Sequence, residues 1–238
     1  MVSDISKPQL NYLENKFHIS AIPDNKKIAK MSDVLVLAVK PKDFTGVLSE
    51  IKNDVSSSKP VISIAGGLTI SYIENQLCSG ARVLRSMPNI CSTVQESITA
   101  ICCGKNSTPA DVEATKSIFS CVGTTVDINE SLFDAFSGVA GCGPAFIFPV
   151  IEALADGAVY EGINRKTAIE LAAKMIIGSA KLVLNTSDHP EQLKDSVCSP
   201  GGSTIAGVKT LEEYKVRAAF MNAVINATEK SKEMGKQS

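Results

Sequence analysis

Histidine is scarce in this sequence and the Cys-x-x-Cys spacing is missing. The 238 residues hold two histidines and seven cysteines, with no Cys-x-x-Cys pair, which removes the usual makings of a zinc site. The cysteines (Cys78, Cys91, Cys102, Cys103, Cys121, Cys142 and Cys198) are odd in number and scattered. We read them as reduced thiols of the cytosol or an organelle matrix, not as a disulfide framework. Excess charge is also missing. A net charge of −1 offers no electrostatic footing for nucleic acid or an anionic membrane surface. The longest unbroken apolar stretch, Val34–Val39, is only strand length, and Met175–Leu184 is interrupted by Lys181, so we expect no membrane span. The opening Met1-Val2-Ser3-Asp4 has neither the basic nor the apolar region of a secretion signal. Nowhere does the chain carry a G-x-G-x-x-G turn.

What remains is an ordinary globular composition, 44% apolar and 21% charged, in a chain long enough for one large or two modest domains. Its rhythm changes midway. Up to about residue 128, strand-like and helix-like segments alternate. Val34–Val39 is a continuous β-type run followed by Lys40-Pro41 and helical spacing over Phe44–Ile51. Val61–Ile64 leads through Ala65-Gly66-Gly67 into a helical pattern over Ile70–Leu77. Val83–Arg85, Ile98–Cys102 and Thr125-Val126 read as further strands, with a helix over Val112–Phe119. Strands that are apolar at nearly every position and separated by helices argue a parallel sheet covered on both faces.

From Ser131 the strand signals stop. Ala145–Tyr160, Arg165–Leu184, Pro190–Val197 and Thr204–Met234 carry helical spacing, and Pro149 is expected to kink the first of them. Ala153, Ala155, Ala158, Ala172, Ala173 and Ala180 allow close helix approach, as in a bundle core or an oligomer interface. We therefore expect two domains, 1–128 and 129–238, with the polar stretch Lys230–Ser238 frayed.

A doubly wound domain that binds a dinucleotide opens with strand, glycine-rich turn and helix, the turn seating the pyrophosphate. This chain opens on what reads as the end of a strand, Met1–Asp4, followed by a helix over Gln9–Lys16. In the usual order that strand is second, beside a central first strand. Without the first strand, two edges inside the sheet stay unpaired. Either the sheet is not of this type, or about thirty residues, the usual size of a βα unit, are absent from its front. We expect an α/β fold, an incomplete Rossmann-type parallel sheet domain followed by an all-α domain.

The stretch "SVCSPGGSTIAG", Ser196–Gly207, separates two helical patterns. It serves as a plain turn, because Pro-Gly and Gly-Gly break helices, or as an anion cradle. Glycines let a backbone approach a ligand, and the free amides and dipole of a helix start suit a carboxylate or phosphate.

Six stretches then fall in one order: "DVLVLAVKP" (33–41), "SIAGGLTISYIE" (63–74), "VLRSMPN" (83–89), "SGVAGCGPAFIF" (137–148), "EALADGAVYEGI" (152–163) and "HPEQLKDSVCSPGGSTIAG" (189–207). Together they resemble the pyrroline-5-carboxylate reductase family over nearly the whole chain. Gly202-x-Thr204, Gly207-Val208 and Leu211-Glu212 stand at the spacing of its signature. The resemblance implies NAD(P)H-dependent reduction of 1-pyrroline-5-carboxylate to L-proline, and helical domains that interlock as a homodimer or larger homo-oligomer.

It also implies a site. Ser199, Gly201, Gly202, Ser203 and Thr204 take the substrate carboxylate, and the Thr204 hydroxyl is the hydrogen-bond partner or proton donor for the ring nitrogen. A relayed water, or an imine already protonated, serves equally as the proton source. Glu130 belongs to the substrate side or is a solvated helix start. On the cofactor side stand Ser3, Asn25, Ala38, Val39, Lys40, Pro41, Ile64, Ala65, Gly66 and Ser196. Ser3 suits NADPH, and Asp4 beside it suits NADH; we take NADPH, with NADH as the alternative. Cys142 and Cys198 are read as packing residues, and no metal is expected.

Without the phosphate-binding turn, we expect this polypeptide alone to show little or no reductase activity. A non-catalytic oligomerisation subunit, or a shortened isoform, is the competing reading. A β-hydroxy-acid or prephenate dehydrogenase shares the two-domain plan but wants a Lys or His on the first long helix, and Ala145–Tyr160 has neither. We expect a cytoplasmic location, or a mitochondrial one if a transit peptide stood in front.

Overall fold

The computed structural model describes residues 1–235. Short apolar runs bounded by Pro, Gly, Asn and Ser become strands, and longer amphipathic runs become the helices between them. The order begins β1 (Val2–Ser3), α1 (Lys7–Phe17), β2 (Ala21–Ile22), α2 (Asn25–Met31), β3 (Leu35–Leu37), α3 (Pro41–Ile51), β4 (Pro60–Ser63), α4 (Ile70–Gln76) and β5 (Arg82–Met87). It continues with β6 (Ser97–Cys103), α5 (Pro109–Ser120) and β7 (Gly123–Asp127). Six helices follow: α6 (Phe133–Phe136), α7 (Gly143–Tyr160), α8 (Arg165–Asn185), α9 (Pro190–Ser196), α10 (Ser203–Glu213) and α11 (Val216–Gly235).

Five strands form one sheet in the order β3-β4-β5-β6-β7. Pairing is parallel at β3–β4, with Val36 opposite Ile62, and also at β4–β5 and β6–β7. It is antiparallel at β5–β6, where Arg85 faces Cys102. The all-parallel expectation fails at that pair for a geometric reason. Only the short stretch 88–96, built around a 3-10 turn at Ile90–Val94, links β5 to β6. A parallel crossover needs a dozen residues or more.

A separate two-stranded parallel sheet pairs β1 with β2. Among the described residues β1 has no ladder partner except β2, and β3 none except β4, so each keeps one open edge. These are the two unpaired edges expected from the opening of the sequence.

The strand faces sort by side-chain alternation. Leu35 and Leu37 are buried while Val36 between them is exposed. With Val61, Val83, Phe44, Leu48 and Ile73 the first two build the main core, under α3 and α4. On the other face Ile62 and Leu84 pack with Phe119 of α5. Val36 remains exposed, so that face is not covered along its full width.

The described residues divide into two compact units, Met1–Gly141 together with 227–235, and Cys142–Asn226. Within the second unit α7 packs along α8, where Ala155, Ala168 and Ala172 are buried. Many large apolar residues stay exposed there, among them Phe148, Leu171, Met175, Leu182 and Met221. The run Glu130–Tyr160, in which Cys142 is a turn between the π-type segment Ser137–Gly141 and α7, is apolar and long enough, by length and composition alone, to cross a membrane.

The segment Thr204–Met234 is two helices, not one. They part at Tyr214-Lys215, where Lys215 takes φ 56° and ends the helical path. The stretch from Lys230 that was expected to fray is helical as far as Gly235; residues 236–238 lie outside the described part.

Candidate active site

The residues expected on the cofactor side of the first unit share one structural position. Ser3 closes β1, Asn25 opens α2 just beyond β2, Ala38–Pro41 join β3 to α3, and Ile64–Gly66 follow β4. Ligands of open α/β sheets bind beyond these carboxyl ends of the strands. The Ile64 amide donates to the Leu37 carbonyl at 3.2 Å, and the Ala65 amide to Ser63 Oγ at 3.2 Å, which fix the start of the β4–α4 turn. Gly66 is exposed, and a Cβ placed on it would meet nothing closer than Met87 Cε at 4.0 Å. Asn25 Nδ2 donates to Glu50 Oε2 at 2.8 Å. The Ser6 amide donates to Asp4 Oδ1 at 2.8 Å, so this carboxylate is already engaged by its own turn.

The helix starts divide into two kinds. The first turns of α1, α2, α4, α5, α8 and α9 are closed by side chains of Ser6, Asp24, Thr69, Thr108, Asn164 and His189. Those of α3 and α10 have no side-chain cap. Orphan amides at a helix start carry partial positive charge and attract anions. The starts of α6 and α7 also lack a side-chain cap. Those of α3, with Pro41 at its first position, and of α10, after Pro200, coincide with the stretches where an anionic ligand was expected.

In the second unit, the loop before α10 is shaped by its glycines. Gly201 sits at φ +69°, which costs a residue with a side chain roughly 1–2 kcal/mol. A Cβ on Gly202 would fall on Ser199 Oγ and lie 3.2 Å from the Ser199 carbonyl oxygen, to which the Gly202 amide donates at 3.0 Å. Ser199, Gly201, Gly202, Ser203 and Thr204 are thereby brought together around an open helix start. The first amide drawn into the helix is that of Ala206, bonded to Gly202 O, which leaves the amides of Ser203, Thr204 and Ile205 ahead of the ladder. Thr204 is exposed, and Ser196 turns its hydroxyl back to Leu193 O at 2.7 Å.

Glu130 lies in the first unit. Its Oε1 accepts the Ile70 amide at 2.7 Å, the first amide of α4, and pairs with Arg85 Nη1 at 3.3 Å. Arg85 is 4% exposed and stacks over the Phe133 ring at 4.5 Å. A cleft of about 410 Å³ beside Glu130 is lined by Glu74, Cys102 and Lys105. Burial, and then the charge of Glu130, push the Cys102 thiol above its ordinary value. Sequence reasoning missed Arg85 and Phe133 as parts of this cluster. The only local signal was a basic residue inside an apolar strand.

An open, mostly parallel sheet domain followed by a helical domain is the plan of a nicotinamide-dependent two-domain reductase. Residues 130–234 match the family model for pyrroline-5-carboxylate reductase dimerisation, and residues 1–67 match that for NADP oxidoreductase coenzyme F420-dependent. The pyrroline-5-carboxylate reductase of Methanosarcina acetivorans is 54% identical over 235 residues, covering 99% of this chain and 87% of that protein. A crystal structure of a pyrroline-5-carboxylate reductase from Coxiella burnetii superposes with a TM-score of 0.90 at 32% identity, over 98% of this chain and 87% of that one. The Plasmodium falciparum pyrroline carboxylate reductase with NADP bound gives 0.85 at 36%, over 91% and 82%. The chain belongs to the pyrroline-5-carboxylate reductase family. Its dimerisation match spans the stretch whose apolar residues stand exposed in the single chain.

Proposed function

We propose that this protein reduces 1-pyrroline-5-carboxylate to L-proline with a reduced nicotinamide cofactor. The observation that carries the reading is the uncapped start of α10 behind Gly201 and Gly202. That start holds the substrate carboxylate on the amides of Ser203, Thr204 and Ile205. When bound, the cofactor supplies a hydride to the imine carbon. The protein positions and polarises. Ser199 closes the floor of the loop, and the Thr204 hydroxyl hydrogen-bonds the ring nitrogen, which ends protonated as the secondary amine of proline. An alcohol is a poor acid at neutral pH, so Thr204 orients this nitrogen while solvent or the protonated imine provides the proton.

The residues present fit part of the cofactor's site. The bare start of α3 at Lys40-Pro41 suits a phosphate, and the space beside Gly66 admits a ring or ribose. No residues here form the glycine-rich turn that usually seats the pyrophosphate. With Asp4 tied to Ser6, Ser3 faces the ribose and favours NADPH over NADH. Ser196 is given no cofactor contact, because its hydroxyl is used by its own helix. Glu130, whose Oε1 is shared by Ile70 and Arg85, is read as the residue that holds the start of α4. The exposed apolar residues of α7 and α8 make a homodimer or larger homo-oligomer, and seven unpaired thiols fit a reducing cytoplasm. The open edges of β1 and β3 favour a second reading, an oligomerisation subunit without turnover.

Calorimetric titration with L-proline tests the site without relying on turnover. The unaltered protein is expected to bind. Gly202→Val, which drives a side chain into Ser199, is expected to abolish the heat, and Thr204→Ala to keep it. Equal binding by Gly202→Val sinks the assignment. Where turnover with NADPH is measurable, Thr204→Ala is expected to lower it about tenfold or more; a protein that binds proline but oxidises no NADPH is the subunit of the second reading.

A further inference from the structure

We propose that the last two turns of α11 brace the β4–α4 turn in the shape that receives the cofactor, with Ser231 and Gly235 as positioning residues. The inference rests on the reading that Ile64–Gly66 meet the cofactor.

Two adjacent glycines, Gly66 and Gly67, give this turn the least intrinsic rigidity a chain can have. A site that binds well needs its backbone held in place beforehand. The structure shows what holds it. Residues 227–235 belong to the first unit. Gly67 takes φ +79°, and a Cβ built on it would lie 3.6 Å from Gly235 N and Cα. A Cβ on Gly235 would lie only 3.1 Å from the Gly67 carbonyl oxygen. The two backbones lie against each other: a side chain on Gly235 would press on the Gly67 carbonyl, and Gly67 is reserved for glycine by its positive φ.

The brace is itself anchored. Ser231 Oγ donates to Asp134 Oδ1 at 2.6 Å, a partly buried bond across 97 positions of sequence. Asp134 follows Phe133, which is fully buried beneath Arg85. The far end of the turn is held separately, by Glu130 on the Ile70 amide. Gly66, in contrast, is exposed with open space beside it. The turn is thus clamped at Gly67 and at Ile70 and bare at Gly66, where a ligand meets it.

The test uses the full chain, a truncation after Lys230, Ser231→Ala and Ser231→Thr. NADPH affinity is read by fluorescence, L-proline affinity by calorimetry, and amide hydrogen exchange over Gly66–Leu68 by mass spectrometry. Truncation and Ser231→Ala are expected to weaken NADPH about tenfold, keep L-proline within about twofold, and speed exchange at the turn, with Ser231→Thr restoring all three. Unchanged NADPH affinity overturns the proposal, even with faster exchange. Equal weakening of both ligands also overturns it, because that is the mark of general destabilisation. An unaltered protein that binds no NADPH sinks the cofactor reading first and the brace with it, and that result is seen before any variant is made.

Discussion

Replacing Glu130 by glutamine separates a structural carboxylate from a substrate ligand. Its Oε1 serves Ile70 and Arg85 at once, and the arginine side chain is only 5% exposed whereas that of Glu130 is 29% exposed. Breaking a fully buried pair costs about 3–5 kcal/mol, since one charge is left without a partner. Here the exposed side of Glu130 reduces that figure, glutamine still offers an acceptor to Ile70, and Phe133 still covers the guanidinium. The expected loss is about 2 kcal/mol, or about 4–8 °C in melting temperature for a chain of this size. Glu130→Ala also strips the acceptor from the Ile70 amide and is expected to cost about 1 kcal/mol more. A second readout comes from Cys102. The charge of Glu130 is one of the causes holding this thiol above its ordinary value. Neutralising the carboxylate therefore raises the thiolate fraction, and Cys102 is expected to react faster with iodoacetamide at fixed pH. The measurements are thermal unfolding, alkylation rate by mass spectrometry, and L-proline titration. An unchanged melting temperature together with collapsed proline affinity would refute this reasoning and place Glu130 against the substrate.

Two further outcomes are expected. Leu171→Glu puts a charge among the exposed apolar residues of α8 and is expected to shift the protein toward monomer in light scattering, with little change in its circular dichroism. The raised Cys102 value also gives a pH dependence with a definite sign. The folded state keeps the proton where the unfolded chain has lost it, so this stability is present below the ordinary thiol value and disappears as pH rises through the folded one. Cys102→Ala is expected to flatten the alkaline fall in unfolding free energy, and an equally steep fall would show that Cys102 plays no part.

Local pattern carried much of this protein. The alternation of β-type runs and amphipathic stretches marked β3 to β5 and α3 to α5, because burial on both faces leaves a continuous apolar run that short windows detect. Pro200-Gly201-Gly202 before an apolar periodic stretch marked the start of α10, since breaker chemistry is written in the residues themselves. The opening strand without a glycine-rich turn likewise anticipated the open edges of β1 and β3.

Other features depended on which distant residues meet. Two-residue β2 is too short to have a period, and the break at Lys215 is a single backbone angle inside a pattern that stays helical on both sides. The reversal of β6 was readable from a link too short for a crossover, but only once the strand ends were known. Nothing near Glu130 announces that its carboxylate belongs to Arg85 and Ile70, 45 and 60 positions away. Nor does Gly67 announce that Gly235 will lie against it. Periodicity and turn chemistry act over a few residues and so can be read from the chain. Which carboxylate meets which guanidinium is decided only when packing fixes their distance, and that decision belongs to the tertiary structure.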